Sequence, residues 1–161
     1  MSKIAPCLWF TGEAEQAAKF YTSLLPDSRI DHVMRSPVDT PGGKAGSVLV
    51  VEFTVAGQQF MALNGGEPVP FNQAVSFKID CDDQPEVDRL WDALLADGGQ
   101  PVACGWLRDR FGLSWQVVPT AALKLFSGPD REGAQRAMKA MMQMVKLDSD
   151  ALQRAYDGDV N

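Results

Sequence analysis

Residues 20–27 read FYTSLLPD and residues 90–97 read LWDALLAD, so the two segments overlie each other when the sequence is shifted by 70 positions. In both segments, apolar side chains recur at helical spacing and charges occupy the remaining faces. The apolar positions are Ala14, Ala17, Ala18, Tyr21, Leu24 and Leu25 in the first and Val87, Leu90, Trp91, Leu94 and Leu95 in the second. The repeat predicts two similar modules, each with an amphipathic helix on a sheet.

Capping residues mark where these helices begin and end. Asp83 precedes Glu86 at the spacing of a capping box, and Gly98-Gly99 is placed to close the second helix. In the first module we predict that Thr11 opens the helix, with Glu13 near its positive end.

Segments of strand character surround each predicted helix. They are Ala5–Phe10, Arg29–Arg35, Gly46–Val55 and Gln59–Asn64 in the first half, and Ala74–Cys81, Pro101–Leu107 and Leu113–Pro119 in the second. After Pro119 the pattern becomes helical: one apolar stripe runs from Ala134 to Val145, and a short helix should end at Gly158. We predict one α+β domain with a first βαβββ module at 1–66, a second at 67–119 and a C-terminal helical extension at 120–161.

The composition limits the classes of partner. The chain has 161 residues, is 45% hydrophobic and carries a net charge of −6, which opposes nucleic-acid binding because phosphate contacts need clustered Lys and Arg. It contains neither a leader-like start nor eighteen consecutive apolar residues, so we predict no membrane association and a cytoplasmic location. Cys7, Cys81 and Cys104 are too widely spaced to predict a disulfide framework or a zinc knuckle.

Four stretches of the sequence resemble a known family. They are PCLWFTGEAEQAAKFYTSLLPDS, FMALNGG, CGWLRDRFGLSWQVVP and AMKAMMQMVKLDSDALQRAY. Together they resemble the PhnB-like proteins, or 3-demethylubiquinone-9 3-methyltransferase family, of the vicinal-oxygen-chelate (glyoxalase/bleomycin resistance/dioxygenase) superfamily. The resemblance implies two βαβββ modules that form an incomplete barrel around a small-molecule ligand, and a homodimer.

The resemblance also implies where a metal would bind. Superfamily enzymes commonly hold a divalent ion with one side chain from the first and one from the fourth strand of each module, which here fall near Pro6, Met61, Ser76 and Gln116. None of the four is His, Asp or Glu, and a glutamine alone cannot hold a transition metal. His32 belongs to a second strand and is predicted to be an edge residue. We therefore predict no metal and no cofactor.

The family name implies methyl transfer to a quinol-like aromatic. Enzymes of that kind usually bind S-adenosylmethionine at a glycine-rich turn between a strand and a helix. Pro41-Gly42-Gly43 and Asn64-Gly65-Gly66 instead precede a strand and a proline-rich linker, which favours simple turns. Metal-independent binding or turnover of a small molecule, and sequestration without catalysis, are the other functions left open.

Period-two alternation predicts the side chains that line the pocket. In the fifth strand, Val75, Phe77 and Ile79 should face the helix, and Ser76 and Lys78 the concave side. The complete predicted set is Leu8, Phe10, Met61, Leu63, Ser76, Lys78, Trp106 and Gln116. Mostly apolar walls with a few polar groups are typical of small-molecule sites, although the same side chains would also fill a barrel interior.

Two residues are candidates for chemistry. Glu52, in a strong strand, would act as a general base if it points inward, whereas a solvated carboxylate is the alternative. Cys104 is a candidate nucleophile, with an inert buried thiol as the alternative because no histidine or basic helix end is nearby in sequence. Asp109-Arg110 is interpreted as a pair of turn charges, and the methionines at 138–144 as core, a docking face or a subunit interface.

Overall fold

A computed structural model describes residues 2–159 and divides into two units, one ending at Pro70 and one beginning at Phe71. The first unit contains β1 (Cys7–Phe10), α1 (Ala14–Thr22), β2 (Arg29–Arg35), β3 (Val48–Val55) and β4 (Gln58–Asn64). The strands form one open sheet in the order β1-β4-β3-β2, in which β1 is parallel to β4 and the other pairs are antiparallel.

Helix α1 covers one side of this first sheet. Its buried residues Ala14, Ala17, Ala18 and Tyr21 recur at helical spacing and form the stripe that packs on the strands. The Tyr21 ring lies 6.2 Å from that of Phe53, which is stacked 5.4 Å from Phe60. The side of the sheet turned away from α1 is called its far face below.

The second unit repeats this topology. It contains β5 (Ser76–Cys81), α2 (Gln84–Leu95), β6 (Gln100–Pro101), β7 (Trp106–Arg108) and β8 (Ser114–Pro119), in the sheet order β5-β8-β7-β6. The helices α3 (Thr120–Phe126), α4 (Arg131–Met141) and α5 (Ser149–Asp157) follow. The predicted α+β fold of two βαβββ modules with C-terminal helices is confirmed, whereas the module boundaries at 66/67 and 119/120 stay predictions.

Two of the helix caps lie where the sequence motifs predict them. At α2, Asp83 Oδ1 accepts a hydrogen bond from Glu86 N at 2.9 Å, as predicted, while the Glu86 carboxylate accepts from Asp82 N at 2.7 Å. At α5, Gly158 takes the left-handed conformation at the C-cap, also as predicted. Short sequence motifs are sufficient here because both partners lie within one turn of chain.

The prediction that Thr11 opens α1 is wrong. Glu13 occupies the N-cap position without a side-chain cap. The capping acceptor is Asn64 Oδ1, which accepts hydrogen bonds from Gly12 N and Ala14 N at 3.0 Å each. Asn64 stands at the end of β4, some fifty residues further along the chain, so no local pattern could reveal it.

The helix in the C-terminal segment is shorter than the apolar stripe from Ala134 to Val145 predicts. Helix α4 ends at Met141, and the next residues turn back to the second module. Cys104 N and Gly105 N donate to the carbonyl oxygens of Met144 and Val145, both at 2.8 Å. These carbonyls therefore serve a backbone pairing with the loop before β7 rather than a helix. None of the helices within residues 2–159 is long and apolar enough to cross a membrane.

Candidate functional site

Strand register arranges the far face of the first sheet in rows. Directly paired residues on adjacent strands project to the same side of a sheet. One row crosses all four strands and consists of Cys7, Met61, Glu52 and His32. The next row is apolar and consists of Trp9, Leu63, Val50 and Met34. Met61 and Leu63, both predicted pocket residues, thus lie on this face, and so does Glu52.

The placement of Leu8 and Phe10 on the same face as Met61 is wrong. Cys7 pairs with Met61, so Leu8 and Phe10 alternate to the other side and are only 5% and 4% exposed under α1. In β1 both alternating sets are apolar, so the pattern alone cannot orient the strand. Cys7 and Trp9 occupy the far-face positions that the sequence interpretation gave to Leu8 and Phe10.

A cavity of about 300 Å³ opens beside this face. It is lined by Ala5, Asp31, Glu52, Phe53, Gln59, Phe60 and Met61, all from the first unit. The Asp31 carboxylate is already engaged, because Arg29 Nε lies 2.7 Å from one oxygen and Thr54 Oγ1 donates to the other at 2.7 Å. The Glu52 side chain is exposed and makes no hydrogen bond or ion pair within residues 2–159. The burial that a general base by desolvation requires is therefore absent.

The far face of the second sheet, turned away from α2, brings the other predicted residues together. Lys78, Gln116 and Trp106 stand side by side on β5, β8 and β7. Gln116 Nε2 donates to Ser76 Oγ at 2.9 Å, and Lys78 Nζ lies 2.7 Å from Asp80 Oδ1. The second-module candidates, three polar side chains and one indole, therefore lie next to one another on this face.

The side predicted for each residue from alternation is correct within β5 and wrong for the residue just before the strand. Phe77 contacts Trp115 at a ring distance of 5.7 Å, and Ile79 is 7% exposed, so both face the helix side as predicted. Val75 lies outside the strand and is 64% exposed, contrary to its predicted burial.

The residues at the four metal positions do not fit a transition metal. The β1 position beside Met61 belongs to Cys7 rather than to Pro6, and Gln116 already bonds Ser76. Three nitrogen, sulfur or carboxylate ligands are the usual minimum of a catalytic zinc site. Within residues 2–159, no group of three or more His, Cys, Asp or Glu side chains is placed to hold an ion.

The three cysteines are free thiols in different surroundings. Cys81 is buried, and this burial raises the pKa of its thiol to about 12. Partial removal from water also raises the pKa of the Cys7 thiol, although Cys7 is exposed. Cys104 lies in a left-handed turn at φ 58° beside Gly105, where a Cβ would come within 3.0 Å of Leu147. This close packing of Gly105 explains the tight turn at Cys104 without a catalytic role for the thiol.

The two glycine clusters pack against each other. A Cβ at Gly66 would lie 2.8 Å from the Pro41 carbonyl oxygen, and one at Gly42 would overlap the Asn64 carbonyl. A Cβ at Gly65 would overlap the indole of Trp9, whose Nε1 donates to Glu67 O at 2.9 Å. The glycines are required for this contact and serve turns, as predicted.

Asp109, interpreted with Arg110 as a pair of turn charges, lies at the start of the turn between β7 and β8, and its carboxylate is buried there. Asp109 is 3% exposed, and its carboxylate accepts hydrogen bonds from Phe111 N, Leu113 N and Trp115 Nε1 at 2.8, 3.1 and 2.9 Å. It organises the turn between β7 and β8. Arg110 pairs with Asp97 at 3.0 Å.

The comparisons with known proteins agree with this architecture. The family model described as 3-demethylubiquinone-9 3-methyltransferase matches residues 2–118. The chain belongs to this family. Helices α3, α4 and α5 lie beyond the residues that the family model matches.

Two solved structures are similar to this member of the family. A PhnB protein from Bacillus cereus is 34% identical, with 73% of this chain and 99% of that chain covered and a TM-score of 0.66. Protein PA1353 from Pseudomonas aeruginosa is 23% identical over 74% of this chain and 98% of its own, with a TM-score of 0.60, and shares the fold. No curated protein matches the sequence.

Proposed function

We propose that the chain is a metal-independent, small-molecule-binding PhnB-like protein of the glyoxalase superfamily. The observation that supports this proposal is the cavity of about 300 Å³ on the first unit. Its walls combine apolar groups such as Ala5 and Met61 with the unpaired carboxylate of Glu52. A mostly apolar concavity with a few polar groups is the usual composition of a small-molecule site.

Further proposals accompany this function. Metal independence is supported by the donor set, because Met61, Ser76 and Gln116 offer no carboxylate or imidazole and the β1 position offers only the single thiol of Cys7. We propose a cytoplasmic homodimer, supported by the free thiols and by the pairing of modules across subunits that the superfamily resemblance implies. The exposed Met138 and Met142 are candidate contacts of that dimer.

Native mass spectrometry with elemental analysis of the purified protein tests these proposals together. The expected result is a dimer that carries an organic mass and no stoichiometric metal. One tightly held divalent ion per subunit would contradict metal independence. A dimer without any organic mass would remove direct support for the small-molecule function. Titration with small organic probes would then decide whether the protein binds a small molecule.

Methyl transfer to a quinol-like aromatic is the second candidate, favoured by the family match over residues 2–118. The strand-to-helix turns provide little support: the first contains only Gly12, and the second is Asp82-Asp83. The glycine clusters that remain are occupied in packing against each other. Calorimetric titration with S-adenosylmethionine tests this candidate function. An absence of binding heat and of a thermal shift would eliminate methyl transfer from S-adenosylmethionine.

Sequestration without turnover is the third candidate. It requires affinity alone and no catalytic group, which agrees with the exposed position of Glu52 and with the structural setting of Cys104. Incubation of the protein with its co-purified compound distinguishes the two cases. A sequestering protein returns the compound chemically unchanged, whereas an enzyme releases a product of different mass.

A further inference from the structure

We propose that the cavity of the first unit binds the ammonium group of a small organic amine, with the Glu52 carboxylate as its counter-ion. This inference rests on the proposed small-molecule function and names the chemical class of the ligand. It is carried by the charge, size and walls of the cavity.

Glu52 is the group that sets the charge. Its neighbours across the far face are Met61 on β4 and His32 on β2, and it forms an ion pair with no side chain of residues 2–159. Among residues 2–159, no Lys or Arg lines the cavity. A carboxylate at the wall of a concavity with no cation of the protein beside it is available to a cationic ligand, and a charge-assisted hydrogen bond is stronger than a neutral one.

Asp31 does not make this an acidic cluster. Its two oxygens are taken by Arg29 and Thr54, so the Arg29 guanidinium already balances its charge. One carboxylate therefore remains to be balanced by the ligand. Gln59, which also lines the cavity, can accept a second N–H through its side-chain carbonyl.

The remaining walls define the rest of the ligand. Ala5 and Met61 are apolar, and a thioether adapts its shape to an apolar or aromatic surface. A volume of about 300 Å³ is at the lower end of the range for small-molecule sites. A primary amine with a compact apolar body, of the size of benzylamine, fits these conditions. A divalent metal does not, because within residues 2–159 Glu52 belongs to no group of three His, Cys, Asp or Glu side chains placed to hold an ion.

Calorimetric titrations with benzylamine and with benzyl alcohol, a neutral molecule of the same shape, test the proposal at neutral pH. The wild-type protein should bind benzylamine at least about tenfold more tightly than benzyl alcohol, since a hydrogen bond to a charged group contributes more than one between neutral groups. Glu52→Gln should abolish this difference and leave the affinity for benzyl alcohol unchanged. Glu132→Gln, an exposed change on α4, is the matched control and should preserve the difference.

A second variant tests the location. Ala5→Phe places a ring in the cavity and should weaken both probes. Melting temperatures and circular dichroism of all variants establish that they are folded. Binding of both probes that Ala5→Phe leaves untouched would overturn the proposed site.

The outcomes separate the ligand class from the function. Equal affinity for the two probes, unchanged by Glu52→Gln, would overturn the amine proposal and leave small-molecule binding intact. Failure of both probes to bind, together with native spectra that show no organic mass, would overturn both.

Discussion

The Asn64 side chain joins the end of β4 to the start of α1 and to β3. Its oxygen accepts from Gly12 N and Ala14 N, and its Nδ2 donates to Val48 O at 3.0 Å. Asn64 is 4% exposed and its bond with Ala14 N is buried, so water does not readily replace that bond. The stability of α1 therefore depends on a residue in β4.

Replacing this side chain should destabilise the protein. Asn64→Ala leaves two backbone donors and one acceptor without partners, and we expect a loss of about 2–4 kcal/mol in the free energy of unfolding. Asn64→Asp keeps the acceptor and loses the donor, so its loss should be smaller. Urea unfolding measures both, with the exposed Asn72→Ala as the control; equal stability of Asn64→Ala and wild type would contradict the assignment.

The Cys81 thiol should be inert in the folded protein. Burial raises its pKa to about 12, above the value of about 8.5 for a free thiol, so at about pH 8 it stays protonated. The corresponding stabilisation is fully present below the unfolded pKa and is lost as the pH rises towards the folded one. Mass spectrometry after iodoacetamide treatment should find the exposed Cys7 labelled first and Cys81 labelled only in urea. Equal labelling rates of the two in the folded state would contradict this.

The facing of individual side chains was predictable only where the two sides of a strand differ. In β5, Ser76 and Lys78 alternate with Phe77 and Ile79, and their sides follow from polarity. In β1, Leu8 and Phe10 alternate with residues that are also apolar. In β1, the side to which each residue points is determined by the register with β4, which is a tertiary property.

At the scale of elements, α2 holds the segment that follows α4. Gln84 Nε2 donates to Leu147 O and Gln84 Oε1 accepts from Ser149 N, both at 2.9 Å. Lys146 Nζ lies 2.7 Å from Asp88 Oδ1. The approach to α5 is therefore fixed by two residues of one helical turn of α2.

This attachment should depend on pH. The hydrogen bonds from Lys146 and Gln84 hold the pKa of Asp88 below its ordinary value, so its contribution is present above about pH 3.9 and is lost as the pH falls through the folded value. Gln84→Ala should speed hydrogen exchange over residues 147–157, and acidification should do the same in the wild type. Asp92→Asn, elsewhere on α2, is the control. Unchanged exchange in Gln84→Ala would refute the attachment.

Elements with local stop and start signals were predicted well. The capping box at Asp83 and the terminal Gly158 need only neighbours in sequence. The end of α4 at Met141 was missed, because the apolar stripe continues to Val145 while the backbone there pairs with Gly105. The stripe was misleading because its last two members, Met142 and Val145, follow the end of the helix and are exposed.

At the scale of the whole molecule, the segment between β4 and β5 connects the two units and carries exposed apolar side chains. Val69 and Val75 are 55% and 64% exposed. We expect limited thermolysin digestion to cut first between residues 66 and 75 and to yield two fragments by mass. Val38 is 61% exposed but lies in a loop bridged at Thr40 and Gly43, so it serves as the internal control and should be cut later. A first cut at Val38 would contradict the expectation.

The overall topology was predictable because the sequence pattern of one module occurs a second time in the other. Each copy of the repeat places an amphipathic helix after one strand and before three, and short connections leave few ways to build a sheet from them. The site was less predictable, because the cavity depends on which strands become neighbours and on how Arg29 and Thr54 neutralise Asp31.

The identical strand order of the two sheets, carried by one chain, affects how far their two faces can differ. Corresponding strands carry a row of Cys7, Met61 and Glu52 in the first sheet and a row of Lys78, Gln116 and Trp106 in the second. Because both sheets belong to one chain, a mutation alters one row and leaves the other unchanged. A symmetric assembly of identical half-length chains would have to change both at once. The single chain therefore allows one face to carry an acid while the other carries an indole.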